Sequence, residues 1–275
     1  MNEILTYETI ERIETRDAVF EVLQAPQLSG SNDVRSAESV FFIQSAGMRL
    51  KLVRITLKQG HVRSEPGTLY YMHGRLEMKS STGGGLMKAM KRKVTSGESF
   101  LVNEIHGSGT IYLEPTFGHF ILHELHNEAI IIDKSLFYAG SGDLDITSKM
   151  NSVTGAVAGG EGLFQTRIEG TGVVVMFSPV PLAEIHKIDL DNETLSVDGN
   201  FAMLRTDGIS FTVRKSSRSW IATSVSGEGL LQTFTGSGTV WVAPTERIYK
   251  QLSTPDGLQT LALPPGAQSG NETGK

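Results

Sequence analysis

The sequence contains no cysteine, and this absence removes several classes of protein at once. Without thiols the chain cannot form a disulfide framework, a thiolate zinc site, an iron–sulfur cluster or a cysteine nucleophile. No segment approaches the roughly 18 consecutive apolar residues that a membrane-spanning helix needs. The first residues also lack a basic start followed by an apolar run, the pattern of a signal peptide. These absences predict an unprocessed cytoplasmic protein.

Proline is scarce and glycine is abundant, with 9 and 30 residues respectively. The glycines have no collagen-like period, so they indicate many tight turns between short strands. A net charge of −5 and a pI near 5.8 argue against a surface that attracts nucleic acid everywhere. A length of 275 residues favours two or three domains.

Three stretches of the chain resemble one another. They read SGESFLVNEIHGSGTIYLEP at 96–115, GGEGLFQTRIEGTGVVVMFSP at 159–179 and SGEGLLQTFTGSGTVWVAP at 226–244. In each, Gly-Glu precedes a Gly-x-Gly motif and an apolar strand that ends at proline. The Gly-Glu pairs are spaced 63 and 67 residues apart, which predicts three tandem units of about that length.

Alternation of apolar and polar residues predicts strands. Residues 110–114 and 239–243 each place apolar side chains on one face, whereas 173–177 is apolar throughout and is predicted to be covered on both faces. The only predicted helix is a short one within 85–93. We therefore predict an all-β fold.

The repeat sets the predicted boundaries. An N-terminal arm and the first unit occupy 1–118, the second unit 119–181 and the third unit 182–250. Residues 251–275 are predicted to be a disordered tail.

Further motifs identify a resemblance. SGEG and the terminal prolines, together with EPGTLYYM at 65–72, RKVTSGESF at 92–100 and VDGNFAML at 197–204, resemble the family named for altered inheritance of mitochondria protein twenty-four. The match runs from about residue 41 to residue 249.

The resemblance implies a fold like that of the tryptophan RNA-binding attenuation protein. It implies three β-sandwich repeats of the double-stranded β-helix type, arranged with pseudo-threefold symmetry, and a homotrimer without established enzymatic activity. Eukaryotic relatives are associated with mitochondrial membrane organisation. Because no transit peptide precedes this chain, the resemblance implies a bacterial member.

Histidines cluster at His119, His123 and His126, beside Glu124 and Glu128. On a strand, residues 123 and 126 face opposite sides, so the spacing fits neither a helical zinc pair nor the His-x-His pair of cupins. We interpret these histidines as surface and inter-strand residues and predict no metal site and no cofactor.

The repeats place Glu98, Glu161 and Glu228 at equivalent positions. A ring of carboxylates could bind a cation, but a turn-stabilising role explains their recurrence better. The Gly-x-Gly motifs lack the Gly-Lys-Ser/Thr ending of phosphate loops, so we predict bulges or hairpin turns with positive φ.

Residues 83–93, GGGLMKAMKRK, interrupt the repeat with Lys88, Lys91, Arg92 and Lys93. A basic amphipathic segment of this kind could meet an anionic membrane, an acidic protein partner or nucleic acid. The alternative is a solvated loop with an incidental charge run.

No nucleophile elbow or paired-carboxylate motif is present, so we predict no catalytic residues. The leading hypothesis is a non-catalytic homo-oligomeric scaffold or adaptor. RNA binding by analogy with the attenuation protein is a second hypothesis. A small-molecule sensor or enzyme with a pocket between repeats is a third.

Overall fold

The fold is mainly antiparallel β-sheet, as the sequence predicts. The computed structural model describes residues 7–80, 102–151, 163–198, 201–215 and 230–263. Its strands are β1 Glu8–Glu14, β2 Ala18–Gln24, β3 Lys51–Ser64, β4 Leu69–Ser80, β5 Asn103–Leu113, β6 His119–Asp133, β7 Phe137–Ser141, β8 Asp145–Asn151, β9 Leu163–Ser178, β10 His186–Asp198, β11 Ala202–Thr206, β12 Ser210–Lys215 and β13 Leu230–Val242.

The described residues also contain three α-helices: α1 Val34–Ser45, α2 Glu246–Leu252 and α3 Gly257–Ala262. None of these helices was predicted from the sequence. No side chain of α1 or α2 is fully buried. α3 also lies where a disordered tail was predicted, and residues 264–275 of that tail are outside the described residues. The predicted helix within 85–93 is likewise outside them.

The chain divides into two compact units, and β6, β8 and β9 contribute residues to both. The first unit takes its residues from 1–129, 135–148 and 168–182. Its antiparallel sheet includes β1, β2, β3, β5 and β4 in that order of pairing. Its core consists of inward-facing side chains of this sheet and of β6, β7 and β9, among them Phe20, Val53, Ile55, Ile111 and Val175.

The second unit takes its residues from 130–134, 149–167 and 183–275. Here β13 pairs with β10, β11 and β12, and β11 pairs with the end of β6. The core of this unit is smaller and includes Ile209, Phe234, Val240 and Val242.

The strand predictions hold well. Ile111 and Leu113 are fully buried, and Val173 to Met176 are buried on both faces as expected. Trp241 differs, because it was placed on the free face of its strand but is only 5% exposed. The three predicted unit boundaries and the pseudo-threefold arrangement stay predictions.

The three Gly-x-Gly motifs lie in the middle of β5, β9 and β13. All six glycines have φ between +127° and +156°, so the predicted positive φ is confirmed. Opposite two of the motifs the partner strand carries an extra residue, between Leu57 and Gly60 in β3 and between Leu190 and Glu193 in β10. The motifs therefore face β-bulges inside long strands rather than forming hairpin turns.

The middle residue of the motif has a recurring contact. Thr171 Oγ1 accepts a hydrogen bond from the backbone N–H of Asn127 at 3.0 Å, and Ser237 Oγ accepts one from that of Asn192 at 2.9 Å. Both asparagines have positive φ, at 58° and 55°. The same local device thus fixes a bend in each unit.

Candidate functional site

The outward face of the first unit's sheet carries an ordered row of polar and aromatic side chains. Strand register places Arg12 beside Glu21, Glu21 beside Arg54, Arg54 beside Tyr112, and Tyr112 beside Tyr71. The intervening residues of these strands point into the core, because successive side chains alternate between the two faces. The row crosses five strands and ends on β4.

Ion pairing holds the charged end of this row in place. Arg54 Nε lies 2.8 Å from Glu21 Oε2, and the Glu21 side chain is only 10% exposed. The hydrogen bond to Glu21 raises the pKa of Arg54 against the opposing effect of burial. A permanent guanidinium charge therefore stands beside Tyr112.

The aromatic end of the row is a tyrosine patch, defined as Tyr7, Tyr70, Tyr71 and Tyr112. The rings of Tyr71 and Tyr112 are stacked, with centroids 4.3 Å apart and an interplanar angle of 18°. Tyr70 lies 5.3 Å from Tyr71, and the two residues are 51% and 48% exposed. Burial, and then the nearness of Tyr70 and Tyr112, raises the pKa of Tyr7. Four phenol groups are thus gathered at the surface.

The strand beneath the patch lies at an edge of the sheet that the described residues form. Within the described residues β4 pairs only with β5, so its other side has no neighbouring strand. Edge strands present unpaired N–H and C=O groups, which makes them sites where another chain can add. The tyrosine patch and this edge together form the most distinctive surface of the first unit.

A histidine pair lies on the same face. His61 and His106 are opposite each other in the register, and their rings stack at 4.9 Å and 6°. His106 Nε2 is 3.3 Å from Glu104 Oε2, and Arg63 Nε is 3.1 Å from Glu104 Oε1. Burial alone would raise the pKa of Glu104, but the hydrogen bonds from His106 and Arg63 hold it below its ordinary value.

The His61 ring also borders a cavity of about 430 Å³. A Cβ on Gly142 would lie 2.3 Å from His61 Cδ2, so the ring packs directly on that glycine. The polar side chains that line the cavity are those of Glu14, Thr15, Arg16, Asp17, His61, Glu124, Ser141, Asp143 and Thr171. Lys58 donates a hydrogen bond to the Glu14 carboxylate, and this hydrogen bond lowers the pKa of Glu14.

A second, smaller cavity of about 280 Å³ lies elsewhere in the first unit. Its lining residues are Glu65, Glu114, Pro115, Thr116, Ser135, Tyr138 and Phe177. It combines aromatic rings with carboxylates and has no cationic side chain in its described lining.

The second unit contains a charge cluster around Asp207. Its carboxylate accepts from Arg167 at 2.9 Å and from Lys149 at 3.0 Å. The hydrogen bond from Arg167 is the main reason that the pKa of Asp207 is lowered. Arg205, only 2% exposed, donates to Gln165 Oε1, and burial lowers its pKa to about 10. These contacts link β8 and β9 to β11 and the turn that follows it, and they support a structural role.

The site residues predicted from sequence all lie outside the described residues. This holds for the basic segment with Lys88, Lys91, Arg92 and Lys93, and for the repeated glutamates Glu98, Glu161 and Glu228.

The histidine cluster of β6 can be located. His126 Nε2 lies 3.8 Å from Glu124 Oε2, and both side chains are well exposed. Across the described part of the chain, no three His, Asp or Glu side chains gather closely enough to hold a metal ion.

Sequence reasoning missed the tyrosine patch. The adjacent pair Tyr70-Tyr71 was visible as part of EPGTLYYM, but Tyr112 reaches it only through the pairing of β4 with β5. The same limit applies to the histidine pair, because His61 and His106 are joined by the register of β3 and β5.

Comparisons with known proteins agree with the fold. A family model described as Mitochondrial biogenesis AIM24 matches residues 43–245. A crystal structure of a Streptococcus pyogenes protein superposes with a TM-score of 0.55 and 24% sequence identity, covering 71% of this chain and 88% of that one. No curated protein matches the sequence. Among the described helices, none is long and apolar enough to cross a membrane.

Proposed function

The chain belongs to the Mitochondrial biogenesis AIM24 family, and we propose that it is a non-catalytic scaffold that assembles with further copies of itself through the tyrosine patch. The family description names a cellular process rather than a reaction. The observation that carries the proposal is Tyr71, which is about half exposed on β4, an edge among the described strands, and stacks on Tyr112 of the neighbouring strand.

The composition of the patch favours protein association. Tyrosine and arginine are enriched at the centres of protein interfaces, where they supply much of the binding energy. Tyr70 and Tyr71 expose about half of their surface, so a partner could still cover large aromatic areas. Arg54 stands beside Tyr112 with its charge already paired to Glu21.

The patch is also preorganised. The Tyr71 ring stacks on that of Tyr112, and Arg54 is fixed by its ion pair. Side chains that are already ordered lose little conformational entropy on binding. In the homotrimer that the family resemblance implies, each patch would face a different surface of the neighbouring copy.

The test is the mass of a double variant, Tyr70→Ser with Tyr71→Ser. Since both rings are half-exposed, the fold should survive their removal, whereas the assembly should dissociate to monomers of 29.8 kDa in sedimentation velocity. Phe42→Ser is the matched control, because Phe42 is a 62% exposed aromatic residue of α1, outside the patch. Equal masses for wild type and the tyrosine variant would refute the proposed interface.

RNA binding is the second candidate, and the same stacked rings favour it. Bases stack on exposed aromatic side chains, and a neighbouring arginine adds charge attraction. Arg54 and Arg75 lie on the outward face with Tyr71 and Tyr112. A labelled single-stranded RNA whose anisotropy changes with wild type, less with Tyr71→Ser and less at high salt, would support this candidate over self-assembly.

The basic segment suggests a further partner. We retain the proposal that Lys88, Lys91, Arg92 and Lys93 contact an anionic membrane surface or an acidic protein. In a trimer the segment would occur three times, and multivalency would strengthen a weak contact.

A further inference from the structure

The smaller cavity of the first unit is built around one tyrosine. The backbone N–H of Glu65 donates to the carbonyl oxygen of Tyr138 at 2.9 Å. The hydroxyl of Tyr138 in turn donates to the carbonyl oxygen of Glu114 at 3.1 Å. The backbones of both glutamates are therefore hydrogen-bonded to the same aromatic residue, although the glutamates come from different parts of the chain.

The aromatic wall of this cavity is fixed by packing. Phe120 lies 5.0 Å from Tyr138 and 6.1 Å from Phe177, measured between ring centroids. Phe177 has a glycine beside it, since a Cβ on Gly118 would fall 2.5 Å from Phe177 Cε2. Tyr138 and Phe177 are only partly buried, and both line the cavity.

The electrostatics of the cavity are negative. Glu65 and Glu114 are among its lining residues, and their charges act on Tyr138, whereas no Lys, Arg or His lines it among the described residues. Lys51 is bonded through its backbone to Thr116, but its ammonium group donates to the carbonyl oxygens of Arg49 and Gly118. Burial, followed by the charges of Glu114 and Glu65, raises the pKa of Tyr138 to about 12, as expected of a phenol near carboxylates.

We propose that this cavity binds a quaternary ammonium group, held by the rings of Tyr138 and Phe177 and the carboxylates of Glu65 and Glu114. Aromatic faces attract cations electrostatically, and methylated ammonium groups are the usual ligands of such aromatic sites. A metal ion fits less well, because two carboxylates are too few hard ligands and Pro115, Tyr138 and Phe177 also line the cavity. This inference goes beyond the scaffold proposal and does not depend on it.

Choline and its carbon isostere, 3,3-dimethylbutan-1-ol, provide the first test. The two molecules have the same shape and differ in charge, so only cation recognition separates them. In calorimetric titrations of the full chain, choline should bind saturably and at least about tenfold more tightly than the isostere. Absent choline binding, or equal affinity for both, would overturn the proposal.

Variants locate the site. Phe177→Leu removes one ring and Glu114→Gln removes one charge, and each should weaken choline binding by about three- to tenfold. Glu114 is exposed, so its variant remains informative even if Phe177→Leu unfolds. Tyr138→Phe keeps the ring and should stay within about twofold of wild type. Unchanged affinity in Glu114→Gln would place any choline site elsewhere and contradict the assignment.

The same chemical group occurs on free solutes and on lipid headgroups, and a second titration separates these sources. Vesicles of phosphatidylcholine are compared with vesicles of phosphatidylethanolamine, whose headgroup is a primary ammonium. If the protein binds choline and phosphatidylcholine vesicles but not phosphatidylethanolamine vesicles, the ligand is a lipid. Binding to choline without vesicle binding would assign a soluble one, and equal binding to both vesicles would contradict quaternary ammonium recognition.

Discussion

At Gly107, in the first Gly-x-Gly motif, the backbone leaves no room for a side chain. A Cβ on Gly107 would lie 2.0 Å from the carbonyl oxygen of Arg75, and the residue has a φ of +127°. Both the contact and the dihedral angle exclude a larger side chain. Recurrence of the motif predicted the positive φ, whereas the close approach of β4 to β5 required the structure.

We predict that Gly107→Ala destabilises the protein by about 3 kcal/mol, because a backbone atom cannot move aside as a side chain can. Gly67→Ala is the matched control. Gly67 also has positive φ, at +87°, but no atom lies within 4 Å of its added Cβ. The control should therefore cost about 1–2 kcal/mol in urea unfolding. Equal losses would mean that backbone strain, and not steric conflict, decides the residue at both positions.

Asp207 leads to a prediction on pH. Its lowered pKa means that its ion pairs stabilise the folded state above the ordinary carboxyl pKa, and that this stability is lost as the pH falls through the lowered value. Asp207→Asn should therefore cost about 1 kcal/mol at pH 7, since the side chain is 29% exposed and partly screened by water. The deficit should shrink below about pH 4.

Urea unfolding at pH 7 and pH 3 measures this dependence. Asp143→Asn serves as the control, because Asp143 is an exposed carboxylate with no ion pair within the described residues, and it should change little at either pH. A deficit of the same size at both pH values would show that the shape of Asp207, and not its charge, supports the second unit.

At the scale of elements, strands were predictable and helices were not. Period-two alternation marked β5 correctly, because one of its faces packs on the core and the other meets water. α1 escaped prediction, and none of its side chains is fully buried. Its N-cap Asp33, which accepts from the backbone N–H of Ser36 at 3.0 Å, is the one local signal that could have been used.

The exposure of α1 predicts that its aromatic residues contribute little to stability. Phe41 and Phe42 are 63% and 62% exposed. Phe41→Ser with Phe42→Ser should change the free energy of unfolding by about 0.5 kcal/mol or less. Phe20→Ala, which empties a fully buried position in β2, should cost about 3–5 kcal/mol. A large loss in the double variant would mean that α1 is covered in solution.

The basic segment belongs to the same scale. Charge reversal of Lys88, Lys91, Arg92 and Lys93 to glutamate should abolish cosedimentation with phosphatidylglycerol vesicles, since each nearby cation contributes roughly 1 kcal/mol. Replacing the same four residues with glutamine separates repulsion from lost attraction. Full vesicle binding by both variants would show that the basic segment does not bind the membrane.

For the whole molecule, composition and repetition predicted the all-β class but not the surfaces. The tyrosine patch joins β4 to β5, and the small cavity combines four separate stretches of chain. Such sites depend on strand register and on packing between distant residues, which a single sequence does not reveal. The basic residues and the repeated glutamates were predicted as sites because they are contiguous or periodic in the sequence. A contiguous or periodic pattern does not determine which side chains come together in the folded protein.

Self-assembly is the central claim, and the molar mass of the wild-type full chain in solution tests it most directly. Light scattering coupled to size exclusion, at several concentrations, should give about three times the subunit mass of 29.8 kDa, stable on dilution. A stable mass between one and three subunits would keep self-assembly and correct the predicted trimer. A mass of one subunit at every concentration would contradict the account.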